Sequence, residues 1–175
     1  MHLIWPGFND NDTVLIDMSN EPFHLPKAYF YINGQRFIRK DELHVTLLGS
    51  ELGRLLKDRQ ATEAGTEENI KTIFEAIDWS YTQSGPIHQL SRQKEGSLEG
   101  SIIMLIDMPG MEVFYQTLMQ KGYIEKDTPL PPAHVTLYTY NNPHGIGVSS
   151  QDMLKTLSVS TFSVDEFNAQ YARHN

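Results

Sequence analysis

Residues 134–140 read His-Val-Thr-Leu-Tyr-Thr-Tyr, and the tetrapeptide that opens them, His-Val-Thr-Leu, also occupies 44–47. β-Branched and aromatic residues dominate both stretches, which predicts a strand over 134–140 and another over 43–48, the latter ending at Gly49. In a strand, alternate side chains point to opposite faces. His44 and Thr46 therefore share one face and Val45 and Leu47 the other. The same split holds for His134 and Thr136 against Val135 and Leu137. Each copy offers an apolar face to a packed helix and an imidazole with a hydroxyl to the opposite side. By the same period of two, Tyr138 and Tyr140 are expected to continue the face of His134 and Thr136, with Tyr138 placed to stack on a base or ribose.

Working outward, residues 101–107 (Ser-Ile-Ile-Met-Leu-Ile-Asp) read as a buried strand broken by Pro109-Gly110. Met111, Phe114, Tyr115 and Leu118 then set one helix face, with Gly122 as its stop. Strand 101–107, helix 111–121 and strand 134–140 form the clearest unit. The prolines at 129, 131 and 132 keep the approach to His134 extended. A comparable first unit centres on strands 27–33 and 43–48. A short strand over 35–38 follows the Asn33-Gly34 hairpin dipeptide. Two helices are expected after it. One carries Leu52, Leu55 and Leu56, and the other carries Ile70, Ile73, Phe74 and Ile77 with Thr66 as its N-cap. Further strands are expected over 3–5, 13–16, 79–81 and 87–90, with a break at Ser84-Gly85-Pro86. A polar loop is expected over 92–100, a short helix over 152–157 and a closing strand over 158–164.

The chain has 175 residues, 39% of them hydrophobic and 21% charged, which suits one soluble domain of ordinary size or a tightly fused pair of small lobes. It contains no cysteine, so disulfides and thiolate metal sites are excluded. The formal net charge of −8 argues against bulk duplex nucleic acid as a partner, since that binding depends on neutralising phosphates with Lys and Arg. It leaves room for a nucleotide or short oligonucleotide held in a local pocket. No apolar run approaches the roughly 20 residues of a membrane span. No signal-peptide pattern opens the chain, and a cytoplasmic monomer is the expectation.

Histidine titrates near neutral pH and can give or take a proton, while a hydroxyl one pleat away can donate to an anionic oxygen. Two such pairs facing each other supply what phosphodiester hydrolysis needs. Water is activated on one side, a leaving oxygen is protonated on the other, and charge is stabilised between them. The plainer reading is two amphipathic strands with half-exposed histidines. Two identical copies, both strand-like, weigh for the chemical one.

On these two tetrapeptides the chain resembles the 2H phosphoesterase superfamily, named for two His-x-Thr/Ser motifs and including 2′,3′-cyclic phosphodiesterases of the 2′-5′ RNA ligase-like type. The resemblance implies an α+β fold of two related α/β lobes, about 1–95 and 96–175, whose antiparallel sheets flank a central groove. It implies His44 and His134 as the acid–base pair, Thr46 and Thr136 as phosphate ligands, and no cofactor or metal. Members commonly place a helix between the first strand and the first motif. Here 34–41 is too short and polar for one. The activity implied is hydrolysis of a 2′,3′-cyclic phosphate or a related nucleotide or oligonucleotide phosphodiester. The alternative is a non-catalytic module on the same fold that binds a nucleotide or an RNA end.

Arg36, Arg39 and Lys40 are the basic residues nearest the first motif, and Lys126 precedes the second. Each reads as solvated surface unless the fold turns it toward the phosphate. His24, His88, His144 and His174 share no metal-ligand spacing. His144, in the loop after the second motif, is the best placed of them to approach the site.

Overall fold

The computed structural model describes residues 1–23, 25, 27–83 and 85–171; His24, Ser84 and His174 lie outside the described residues. The architecture is α+β, with eight strands in one antiparallel sheet and five helices among the described residues. In chain order the first half runs β1 (Val14–Asp17), β2 (Tyr29–Ile32), β3 (Gln35–Arg39), β4 (His44–Leu48), α1 (Ser50–Thr62) and α2 (Thr66–Glu75). The second runs β5 (Ile87–Lys94), β6 (Ser97–Leu105), α3 (Pro109–Gln120), β7 (His134–Tyr140), α4 (Gln151–Leu157), β8 (Ser158–Phe162) and α5 (Val164–Tyr171). Along the sheet the order is β1-β4-β7-β6-β5-β8. The β2–β3 hairpin joins through β3, which also pairs with β7. One edge of β7 thus serves β4 near its start and β3 near its end.

Where the first unit lacks a helix, the hairpin takes its place. Asn33 and Gly34 both adopt positive φ, 50° and 79°, the geometry a two-residue hairpin turn requires. Val45, Leu47, Val135 and Leu137 are buried in the main core with Leu56, Ile70, Phe74, Trp79, Phe114 and Leu118. The Trp79 indole donates to the Phe74 carbonyl and its ring packs on Phe74 and Phe114. Tyr115 donates its hydroxyl to the Leu47 carbonyl and so ties α3 to the back of the first motif. At the end of α3, Gly122 (φ 72°) and the bonds from Gly122 N to Met119 O and Tyr123 N to Leu118 O form a Schellman-type stop.

Several expectations are corrected. Residues 3–5 are irregular, and Trp5 packs edge-on against Phe74 instead of joining the sheet. Residues 79–81 are not a strand either, because the buried Trp79 is fixed by the end of α2. The N-cap of α2 is Gly65, at φ 88°; Thr66 is its first helical residue and donates to the Glu63 carbonyl. On α1, Leu55 is exposed and Gly53 is buried, since the Asp12 carbonyl crosses the helix at Gly53. The polar stretch 92–100 is a continuation of β5 and β6 around a Glu95-Gly96 turn, held by the cross-strand Arg92–Glu99 ion pair. Helix α5 had no counterpart among the expectations; it buries Phe167 against Phe30, Tyr138 and Phe162. Among the described residues, no helix is long and apolar enough to cross a membrane.

Candidate active site

The two His-Val-Thr-Leu copies lie side by side on adjacent antiparallel strands, in register at Val45↔Val135. Residue numbers of facing pairs on an antiparallel ladder have a constant sum, so His44 falls beside Thr136 and Thr46 beside His134. A local twofold axis through the valines relates the two motifs. Directly opposite residues have Cβ atoms roughly 4.5–5.5 Å apart, and diagonal neighbours lie roughly 7–8 Å apart. The two histidines occupy the diagonal, each with the other motif's threonine at its side.

β1 and β6 extend this face on either side. Asp17 is registered on His44 and Leu15 on Thr46, while Ile103 is registered on Thr136 and Leu105 on His134. The Asp17 carboxylate accepts from the Ser19 backbone N–H, and hydrogen bonding by Ser19 holds its pKa below the usual range, with His44 adding a smaller pull.

His134 is 8% exposed. Its Nδ1 stands 2.7 Å from the Pro132 carbonyl, and a carbonyl can only accept, so Nδ1 carries the proton. Neutral His134 therefore has its lone pair on Nε2. Burial pushes the His134 pKa down, against the raising effect of the Pro132 hydrogen bond, and the nearby His44 lowers it further. His44 is half-buried. Burial lowers its pKa too, and Lys40 reinforces the shift, while Glu42 and Asp17 oppose it by favouring the imidazolium. The two imidazoles thus differ in surroundings: one has a locked tautomer in a dry setting, the other sits among charges.

The loop after β7 forms the rim beside Thr136. Ser101 accepts from the Ile146 backbone N–H, Asn142 donates to the Gly145 carbonyl, and Lys40 donates through Nζ to the Pro143 carbonyl. Gly145 has φ 84°, and a Cβ there would stand 3.1 Å from the Thr136 methyl, so a larger residue would press on the site threonine. Lys40, read from sequence as surface, is thereby held between the hairpin and the rim. His144 is exposed in this loop, and His88 is remote, on β5, in contact with Ser158 and Thr161.

Tyr138 departs from its expected place. β6 pairs Ile102 with Tyr138 but Ile103 with Thr136, so β7 carries an extra residue at Leu137. Such a bulge breaks the alternation of faces. Ser101, two residues before Ile103, shares its face and is registered on Thr139, so Thr139 joins the Thr136 side. Tyr138 turns to the core instead. It is fully buried, its ring 4.6 Å from Phe30 and 6.3 Å from Phe167, and its hydroxyl donates to the Lys27 carbonyl. Its ring is closed to any ligand on the histidine face. Thr139 was missed because a bulge is a property of the pairing with β6, and no period within 134–140 reveals it.

Among the described residues, no cluster of three or more His, Asp or Glu side chains is arranged to hold a metal ion. Chemically, the face presents one histidine nitrogen as a proton acceptor, a second titratable imidazole diagonal to it, and two hydroxyls between them. Searches against family models, curated proteins and solved structures found no match for this chain.

Proposed function

We propose that the chain is a metal-independent phosphodiesterase of the 2H phosphoesterase superfamily, hydrolysing a 2′,3′-cyclic phosphate or a related nucleotide or short-oligonucleotide phosphodiester. The observation that carries this reading is the Val45↔Val135 register, which sets His44 and His134 diagonally with a threonine beside each. A phosphate seated over the valine pair meets both hydroxyls from below and one imidazole on either side. That is the arrangement in-line attack requires, with nucleophile and leaving group on opposite sides of phosphorus.

His134 is assigned as the base. Its Nε2 lone pair, fixed by the Nδ1–H bond to Pro132, takes a proton from water as the water oxygen bonds to phosphorus. His44 is assigned as the acid, because it stands diagonally across from the base and has Asp17 beside it on β1. It gives its proton to the ribose oxygen as the phosphorus–oxygen bond breaks, leaving a phosphate monoester and a free hydroxyl. Thr46 and Thr136 donate to the non-bridging oxygens, and Lys40 supplies positive charge nearby. The twofold relation of the motifs, with β1 flanking one and β6 the other, supports two related lobes that meet at the histidines, but β5 (Ile87–Lys94) pairs with β6 and β8, so the second lobe begins before β5 and not at 96.

The test is turnover of 2′,3′-cyclic nucleotides, linear 2′-5′ and 3′-5′ oligonucleotides and cyclic dinucleotides in the presence of a chelator. His44→Ala and His134→Ala should each lower kcat by roughly 10²–10⁴ with the fold retained by circular dichroism. Since both histidine pKa values are lowered, the bell in kcat/KM should centre below the ordinary histidine value of about 6.5. Near-wild-type turnover by either variant refutes the mechanism. A nucleotide that binds and returns intact would make the protein a binding module instead.

A further inference from the structure

The histidine face continues past the motifs onto the β2–β3 hairpin. Thr139 shares the face of Thr136; Ile38 is registered on Thr139, Tyr29 on Ile38, and Tyr31 on Arg36. Tyr29, Tyr31, Arg36 and Ile38 therefore all stand on the same side of the sheet as His44 and His134. Tyr29 is 46% and Tyr31 58% exposed, and they are the only exposed aromatic side chains among the described residues. Their rings meet edge to face at 6.0 Å, and the Arg36 guanidinium lies 4.2 Å over the Tyr29 ring. The remaining tyrosines pack against the body of the protein. These two hold ring surface open to solvent, with the ring planes at right angles to each other.

Charge gathers in the adjoining hollow: Tyr29 and Tyr31 line one with Lys27, Gln170 and Tyr171, and Arg36, over the Tyr29 ring, lines the next. In a chain of net charge −8, Arg36, Arg39 and Lys40 fall within five residues. They line a cavity of about 650 Å³ that runs from Arg36 along Thr139 to Lys40 and the rim at Pro143. Asp41 and Glu42 also line it. Cations beside open aromatic faces suit a ligand with both phosphates and π-surfaces.

We propose that the β2–β3 hairpin is a stacking platform for unpaired bases of a nucleotide chain, with Arg36 and Lys40 meeting its phosphates. The location rests on the phosphodiesterase reading, in that the reacting phosphate of the same strand lies between His44 and His134. The span sets the ligand. From Thr136 to Tyr29 lie two strand spacings across the sheet and, with the bulge at Leu137, two ladder steps along it, roughly 12 Å in a straight line. A mononucleotide held at the histidines does not reach the tyrosines, whereas a chain of more than one nucleotide does. The platform therefore selects strands over mononucleotides and unpaired bases over duplex.

The test separates binding from turnover. Anisotropy of a labelled single-stranded oligoribonucleotide with a free 3′-hydroxyl is measured on the wild-type chain and on Tyr29→Ala/Tyr31→Ala. The double variant should bind about tenfold or more weakly, with its fold retained by circular dichroism because neither ring is part of the core. Arg36→Ala should lower the salt dependence of binding by about one phosphate contact. The same sequence as a duplex should bind weakly and be insensitive to the tyrosines. In turnover, the double variant should keep wild-type kcat/KM on a 2′,3′-cyclic mononucleotide and lose about tenfold on an oligonucleotide ending in that group. Equal binding by wild type and the double variant, or no binding by either, overturns the platform. So does a wild-type dimer that Tyr29→Ala/Tyr31→Ala dissolves, since a second copy would then be the occupant. Strand binding lost with the tyrosines while no phosphodiester is cut upholds the platform and overturns the phosphodiesterase reading alone.

Discussion

Replacing Tyr138 separates a core role from a ligand role. Its ring is fully buried between Phe30 and Phe167, and its hydroxyl donates to the Lys27 carbonyl at 3.0 Å. Tyr138→Phe keeps the ring and loses one neutral hydrogen bond, which costs about 1 kcal/mol. For a chain of this size that is a fall in Tm of roughly 2–4 °C. Tyr138→Ala removes the whole ring and opens a cavity joining β2, β7 and α5, at a cost of about 3–5 kcal/mol. The corresponding fall in Tm is roughly 6–20 °C. Urea denaturation followed by circular dichroism and tyrosine fluorescence gives both numbers, and steady-state kinetics on the best substrate gives KM. The Phe variant should keep KM unchanged. A side chain that stacked on substrate would behave in the opposite way: Tyr138→Ala would leave stability untouched and raise KM. That outcome would refute the bulge at Leu137 as the reason the alternation fails.

Two further outcomes follow from burial and close approach. His134 is buried with its folded-state pKa depressed, so its contribution to stability is complete above the unfolded value of about 6.5 and is lost as pH falls through the lower folded value. Urea midpoints taken downward from neutral pH should decline over that window, and His134→Gln should flatten the decline; identical slopes would count against the dry setting. On α1, a Cβ at Gly53 would stand 1.6 Å from the Asp12 carbonyl oxygen, so Gly53→Ala should cost about 3 kcal/mol or more, whereas Leu55→Ala, at an exposed position, should stay within about 0.5 kcal/mol. A larger loss from Leu55 than from Gly53 by thermal denaturation would reverse the assignment of the helix face.

Much of the fold was legible because it depends on local periods. The strand at 134–140, the hairpin dipeptide Asn33-Gly34 and the apolar faces of α2 and α3 follow from residues a few positions apart, and the structure has them. The errors fall where a partner element decides. Leu55 matches the helical period, yet the Asp12 carbonyl makes Gly53 the buried position. The polar stretch 92–100 lacks an apolar stripe, yet hairpin pairing and the Arg92–Glu99 contact carry the strands through it.

For the candidate site, the division is equally physical. Strand alternation, a property of one segment, determines that histidine and threonine share a face while valine and leucine turn to the core. It holds in both copies, where all four apolar residues are buried. What only the tertiary structure decided is that the two copies are neighbours in one sheet, in register at the valines, with Lys40 held at their rim and Tyr138 turned away. Register and bulges belong to pairs of strands, so a single strand's sequence cannot contain them.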